Sequence, residues 1–132
     1  MSQENVEIVR SAIDAFNRDG AEASLAWISP DIAWHDLPDQ PDAEIHRGHA
    51  GFLSAFEQFF GDLDDYIVNV EEIIDHGDRS VVCVRVVGQG KGSRARFEQR
   101  VFGVWTVRNR LVARAVWFRT REDALDAVGL SE

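Results

Sequence analysis

The chain is poor in cysteine. Cys83 is the one cysteine among 132 residues, so no internal disulfide can form and stability must come from a packed core. Cys83 lies in an apolar run over 81–87 and reads as a small core residue. Long apolar runs are also missing: no stretch approaches the roughly 20 residues that a membrane helix needs, so no membrane partner is expected. Met1-Ser2-Gln3-Glu4 offers neither a basic patch nor an apolar segment, which reads as a cytoplasmic protein. Positive charge is scarce, with 14 Lys and Arg against 23 Asp and Glu and a net charge of −9. That balance argues against binding a nucleic-acid backbone, which needs a basic surface. No glycine-rich phosphate loop is present, because Gly88-Gln89-Gly90-Lys91-Gly92 opens no helix and reads as a hairpin turn. No Ser-His-Asp or Cys-His set can be assembled.

What is there is enough for a core: 45% of the residues are hydrophobic. The length fits one domain, spanning 1–132. Ser2 is a helix cap, with Glu4 and Glu7 favourable in the first turns. Val6, Val9, Ala12, Ile13 and Phe16 recur at helical spacing up to Asp19-Gly20. A second helix is predicted over 21–28, a turn at Ser29-Pro30-Asp31 and a strand over 32–35. The segment 37–47 holds Pro38, Pro41 and several acids and reads as a loop. A third helix follows Gly48, with Phe52, Phe56, Phe59 and Phe60 as its apolar stripe.

The pattern then changes to strands over 66–74, 81–87, 94–107 and 111–118, separated by short turns. Thr120 and Asp123 begin a short terminal helix that Gly129 ends. Helices grouped on a curved antiparallel sheet make an α+β fold. In the long strand, Phe97, Gln99, Val101, Gly103, Trp105 and Val107 share the natural inner face. The last strand is apolar on both faces except at Arg114, which suggests a homodimer through the sheet. The alternative is that the terminal helix covers Trp105 or Trp117.

Chemistry concentrates in one segment. Asp31-Ile32-Ala33-Trp34-His35-Asp36 ends a strand, and Asp39, Asp42, Glu44, His46 and His49 follow. Asp36, close to Trp34 and the Phe-rich helix, is a candidate general base, since partial desolvation tunes a carboxylate toward proton abstraction. The plainer alternative is a turn aspartate that caps the backbone before Pro38. His35 alternates away from Asp36 along the strand. His46-x-x-His49 and the loop acids could ligate a metal, but a charged, proline-containing loop reads as solvated, and neither metal nor cofactor is expected.

The order of these pieces resembles the SnoaL-like branch of the nuclear transport factor 2-like superfamily. The resemblance rests on Glu4-Asn5-Val6-Glu7-Ile8-Val9-Arg10, Ala15-Phe16-Asn17-Arg18, Pro30 to Asp36, Arg47-Gly48, and Asp75-His76-Gly77-Asp78-Arg79. It continues through Glu98-Gln99-Arg100, Val104-Trp105-Thr106 and Arg119 to Leu125. The resemblance implies a cone with an internal pocket between the helices and the concave sheet face, and usually a dimer. Relatives include polyketide cyclases, ketosteroid isomerase and epoxide hydrolases, so the fold alone does not name a reaction.

By the same resemblance Asp36 falls where the isomerase carries its catalytic aspartate. Ala12 and Gly103 stand where that enzyme has its two oxyanion donors, leaving Gln99 or the Trp105 indole as substitutes. Arg96, Glu98 and Arg100 superficially match the hydrolase pattern, but they alternate onto the outer face and read as cross-strand ion pairs. The expectation is an apolar pocket for a small hydrophobic molecule, shaped by Phe16, Trp34, Phe56, Gln99, Trp105 and Arg114. Cofactor-free cyclase or isomerase chemistry would use Asp36 as base. The alternatives are a non-catalytic ligand-binding or sensor protein and a structural dimerisation module.

Overall fold

The computed structural model describes residues 2–38 and 40–130. The Ser2 side chain and the loop acid Asp39 lie outside what is described. Helix α1 (Ser2–Asp19) buries Val9, Ala12, Ile13 and Phe16 on one stripe. It stops at Gly20, whose φ of 95° suits the residue that follows a helix and whose N–H reaches the Phe16 carbonyl at 2.8 Å. The predicted second helix is shorter than expected: α2 (Ala21–Ser24) tightens into a 3-10 turn over Leu25–Trp27.

Strand β1 (Ile28–His35) begins four residues before the sequence pattern suggests. Ser29-Pro30-Asp31 is therefore strand and not turn. Its register against the neighbouring strand shifts between Ile28 and Ala33, and that irregularity accommodates Pro30, which has no N–H for the ladder. The expected loop 37–47 ends in a short edge strand, β2 (Ile45–Arg47), which pairs antiparallel with β1. Three residues are too few to show a period, which is why the sequence hides it. Helix α3 (Gly48–Phe60) follows at once. Phe52 is 2% exposed, whereas Phe59 at the end of the predicted stripe is 40% exposed.

Four strands complete the sheet: β3 (Leu63–His76), β4 (Arg79–Gly90), β5 (Arg96–Arg108) and β6 (Leu111–Phe118). The spatial order is β2-β1-β6-β5-β4-β3. The sheet is mixed, not purely antiparallel, because β1 lies parallel to β6, with Trp34 opposite Ala115 and His35 opposite Val116. Parallel partners distant in sequence carry no hairpin signal, so only the folded chain reveals this pairing.

One sheet face packs under α1 and α3 through Ile32, Trp34, Val82, Val84, Trp105, Val112 and Ala115. Each fully buried side chain of the size of Ile32 or Val82 contributes about 1.5–3 kcal/mol. The Asn17 amide also ties α1 to β3, donating to the Val68 carbonyl at 2.8 Å and accepting from its N–H at 2.9 Å. The other sheet face is partly covered by α4 (Arg121–Ala127), whose Ala124 and Leu125 pack on Val81, Cys83 and Val104, with Phe102 and Phe118 alongside. Over Ser80–Val84 strand β4 is thus buried on both faces, which explains the apolar run Val81-Val82-Cys83-Val84 that Arg85 ends. Trp105 and Trp117 belong to the helix-covered face, not to α4. Beyond α4 the outer face carries ion pairs: Glu71 with Arg85 and Arg100, and Glu98 with Arg85 and Arg96.

Two contacts hold α4 in place. The Thr120 hydroxyl caps it by accepting from the Asp123 N–H at 3.1 Å, and Arg121 grips Glu72 of β3 with two nitrogens, at 3.0 and 3.2 Å. Beneath it, burial, followed by the Glu72 charge, pushes the Cys83 thiol up to about 11. Cys83 is therefore expected to resist a thiol-reactive dye at pH 8. Thr120→Ala is expected to cost about 1 kcal/mol of stability. It should also speed Cys83 labelling, which denaturant melts and labelling kinetics measure.

Candidate functional site

The end of β1 and the edge strand β2 together build a fixed carboxylate. The Asp36 N–H donates to the Glu44 carbonyl at 3.0 Å, and the Glu44 N–H returns to Asp36 Oδ2 at 3.1 Å. His46 Nε2 donates to Asp36 Oδ1 at 3.1 Å. Register explains the meeting. His46 pairs across from Trp34, and Asp36 follows Trp34 by two residues, so all three side chains share the helix-covered face. His46 is 6% exposed, and the acceptor its ring needs in that apolar setting is Asp36.

The histidines otherwise separate. His49 bonds the Ile28 carbonyl at 2.8 Å. His35 points to the other face, where burial, then the charges of Arg114 and Arg47, hold its pKa below the ordinary value. Among the described residues no three His, Cys, Asp or Glu side chains converge to hold a metal.

Asp36 opens onto a cavity of about 130 Å³ between the helices and the sheet. Phe16, Trp34, Phe56 and Trp105 line it, together with Trp117, Phe52 and, as polar members, Ser24 and Gln40. Asp36 is the charged member of the lining. Two expected wall residues sit elsewhere. Gln99 is half-buried on β5 opposite Val86, outside the lining. Arg114 is exposed on the opposite face, because β6 shifts register beside Thr106 and Val107, turning Val112 and Ala115 inward and Arg114 outward.

His46 and Trp117 are the participants that sequence reasoning did not assign. Alternation along the last strand could have placed Trp117, but His46 depends on the β1–β2 register.

The three indoles form one corner of the cavity. Trp34 lies 5.6 Å from Trp105 and 5.7 Å from Trp117, and Trp105 meets Trp117 at 5.9 Å and 90°. Gly103 makes this possible. A Cβ there would fall 2.6 Å from Trp105 Nε1 and 2.9 Å from Trp117 Cζ3. The Trp105 N–H thus occupies the space a side chain at 103 would take. It is fully buried and has no hydrogen-bond acceptor, a state shared among the described residues only by the Ser80 hydroxyl.

Gly103→Ala is expected to force both indoles aside and cost about 1–3 kcal/mol, seen as a lower melting temperature and altered tryptophan fluorescence. His35 is expected to titrate below 6.5 by NMR. Its folded pKa lies below the unfolded value, so the folded state binds fewer protons and stability falls as pH drops from about 6.5 downward. His35→Gln should flatten that slope in melts at pH 5 to 7.

Residues 9–115 match the SnoaL-like domain family. No curated protein matches the sequence. Among solved structures, a nuclear transport factor 2-like protein from Burkholderia xenovorans is 28% identical, with a TM-score of 0.69 and 97% of each chain covered. Another, from Burkholderia thailandensis, is 24% identical with a TM-score of 0.75, covering 96% of this chain and 95% of that one. A protein with a ketosteroid isomerase-like fold from Catenulispora acidiphila is 15% identical with a TM-score of 0.72, covering 94% of this chain and 93% of that one. The helices on an unclosed six-stranded sheet are the cone of that superfamily. With most of its length inside the match, the chain belongs to the SnoaL-like family.

Proposed function

We propose that the cavity takes up a small hydrophobic molecule and that Asp36 acts on it as a general base, in cofactor-free chemistry of the isomerase or cyclase type. The supporting observation is that Asp36 is the charged side chain on an otherwise apolar cavity walled by aromatic rings, Trp105 among them. Each Asp36 oxygen already accepts one hydrogen bond, which fixes the carboxylate, and each keeps a second lone pair for a substrate proton. A carbonyl oxygen would gain negative charge as Asp36 removes a proton from the neighbouring carbon, and the proton on Asp36 would return to another carbon to complete an isomerisation. The Trp105 N–H packs over Gly103, and a turn of the indole into the cavity would bring it to that oxygen to stabilise the charge. His46 would serve as a positioning residue, holding the carboxylate in its rotamer.

Volume limits the ligand. A cavity of about 130 Å³ is close to the roughly 150 Å³ that accommodates benzene, and well below the roughly 300–1,000 Å³ of sites for larger ligands. A single-ring molecule fits, whereas a multi-ring polyketide or steroid requires the walls to move.

Binding without chemistry is the second reading, favoured by the structural duty both Asp36 oxygens already perform. A homodimer through the sheet is a further proposal. Its support is one apolar pair on the outer face, where Ile67, 45% exposed, lies opposite Val87. Sedimentation of wild type and Ile67→Lys tests it, and an unchanged monomer would reject it.

Exchange of the α-deuterons of cyclohexanone, followed by NMR, tests the base without knowledge of the natural substrate. The protein is expected to accelerate exchange, Asp36→Asn to remove about 100-fold or more of that acceleration, and Trp105→Phe to remove about 100-fold. Binding of cyclohexanone with no acceleration would leave a binding protein.

A further inference from the structure

We propose that the ligand of this cavity is a small basic molecule, an amine carried as its cation, and that it enters through the acid-lined cleft beyond the phenylalanine wall. This rests on the cavity being a ligand site, and it adds the charge of the ligand and its route.

A second hollow, of about 550 Å³, lies between the end of α1, the end of α3 and the start of β3. It shares Phe16, Phe56 and Phe60 with the inner cavity. These rings form a wall one side chain thick. Phe16 lies 5.0 Å from each of Phe56 and Phe60, and Phe56 lies 5.6 Å from Phe60. Tyr66 lies on the outer side, stacked on Phe16 at 5.9 Å and tilted against Phe60 at 4.6 Å. Side-chain rotation of Phe60, half-buried on the last turn of α3, would join the two spaces without any change in the backbone.

Charge on this route is one-sided. The cleft is lined by Asp19, Glu22, Glu57, Asp64 and Asp65 against one cation, Lys91. Asp19 pairs with the exposed Arg18 at 3.4 Å, and Asp65 accepts from Gln89 at 3.1 Å. A cleft lined by one sign of charge concentrates ligands of the other sign and repels its own.

The inner cavity repeats the preference by a different means. Among the described residues its lining holds no Lys or Arg to receive an acid, and its one charged group is Asp36. Aromatic rings make up much of its wall, and the face of an aromatic ring attracts cations and not anions. Cleft, wall and cavity therefore select the same ligand charge.

Three probes of equal ring size separate the possibilities: benzylamine, benzyl alcohol and benzoate at pH 7, with affinity from calorimetry and exchange rates from NMR. Benzyl alcohol is expected to bind, and benzylamine to associate at least roughly tenfold faster than benzoate, with the gap widening at low salt. Neutralising the cleft with Glu22→Gln, Glu57→Gln, Asp64→Asn and Asp65→Asn should slow benzylamine and leave benzyl alcohol unchanged. Phe60→Ala should speed exchange of all the probes and Phe60→Trp should slow it.

Benzyl alcohol binding with benzoate as fast as benzylamine would overturn the charge selection. Exchange indifferent to both Phe60 variants would overturn the route. Binding of none of the three would overturn the ligand site itself, and this inference with it.

Discussion

The interior is organised by the parallel pairing of β1 with β6, which sets Trp34 opposite Ala115. A large ring against a small side chain leaves room for Trp117 to reach the same corner. Gly103 on β5 leaves room for Trp105. Without that register the three indoles would not meet, and α3 would have no matching surface for Phe52 and Phe56. Interiors pack as densely as organic crystals, so such an arrangement tolerates little shift.

Polar groups survive inside this apolar space only where something satisfies them. Asp36 and His46 satisfy each other, with the backbone of Glu44 as a third partner. Among the described residues the exceptions are the Ser80 hydroxyl and the Trp105 indole N–H, both buried and unpaired. An unpaired buried donor costs about 1–3 kcal/mol. Packing of the indole over Gly103 and against Trp117 offsets that cost. Family resemblance suggested that positions 12 and 103 lack the usual donors. The geometry adds a physical reason at 103, since no side chain fits between the two indoles.

Much of the fold was legible in the chain. The 3.6-residue stripe of Val9, Ile13 and Phe16, the Phe-rich third helix and the glycine and asparagine turns each carry a local signal, and each element formed. Alternation on β5 placed Trp105 inward and Arg96, Glu98 and Arg100 outward, where they meet Glu71 and Arg85. The differences between pattern and structure share one cause. Ser29-Pro30-Asp31 has the composition of a turn, 37–47 that of a loop throughout, and the strand run that of an antiparallel sheet, because the partners of β1 are recognised only across space.

By itself the sequence determined the α+β class, the element order and the position of Asp36 at a strand end near Trp34, since periodicity and turn chemistry are local properties. Tertiary structure alone decided that His46 holds Asp36, that Arg114 leaves the cavity while Trp117 joins it, and that the apolar outer residues of β4 and β5 lie under α4. Those outcomes depend on strand register, and a shift of one residue turns every side chain of a strand to the opposite face.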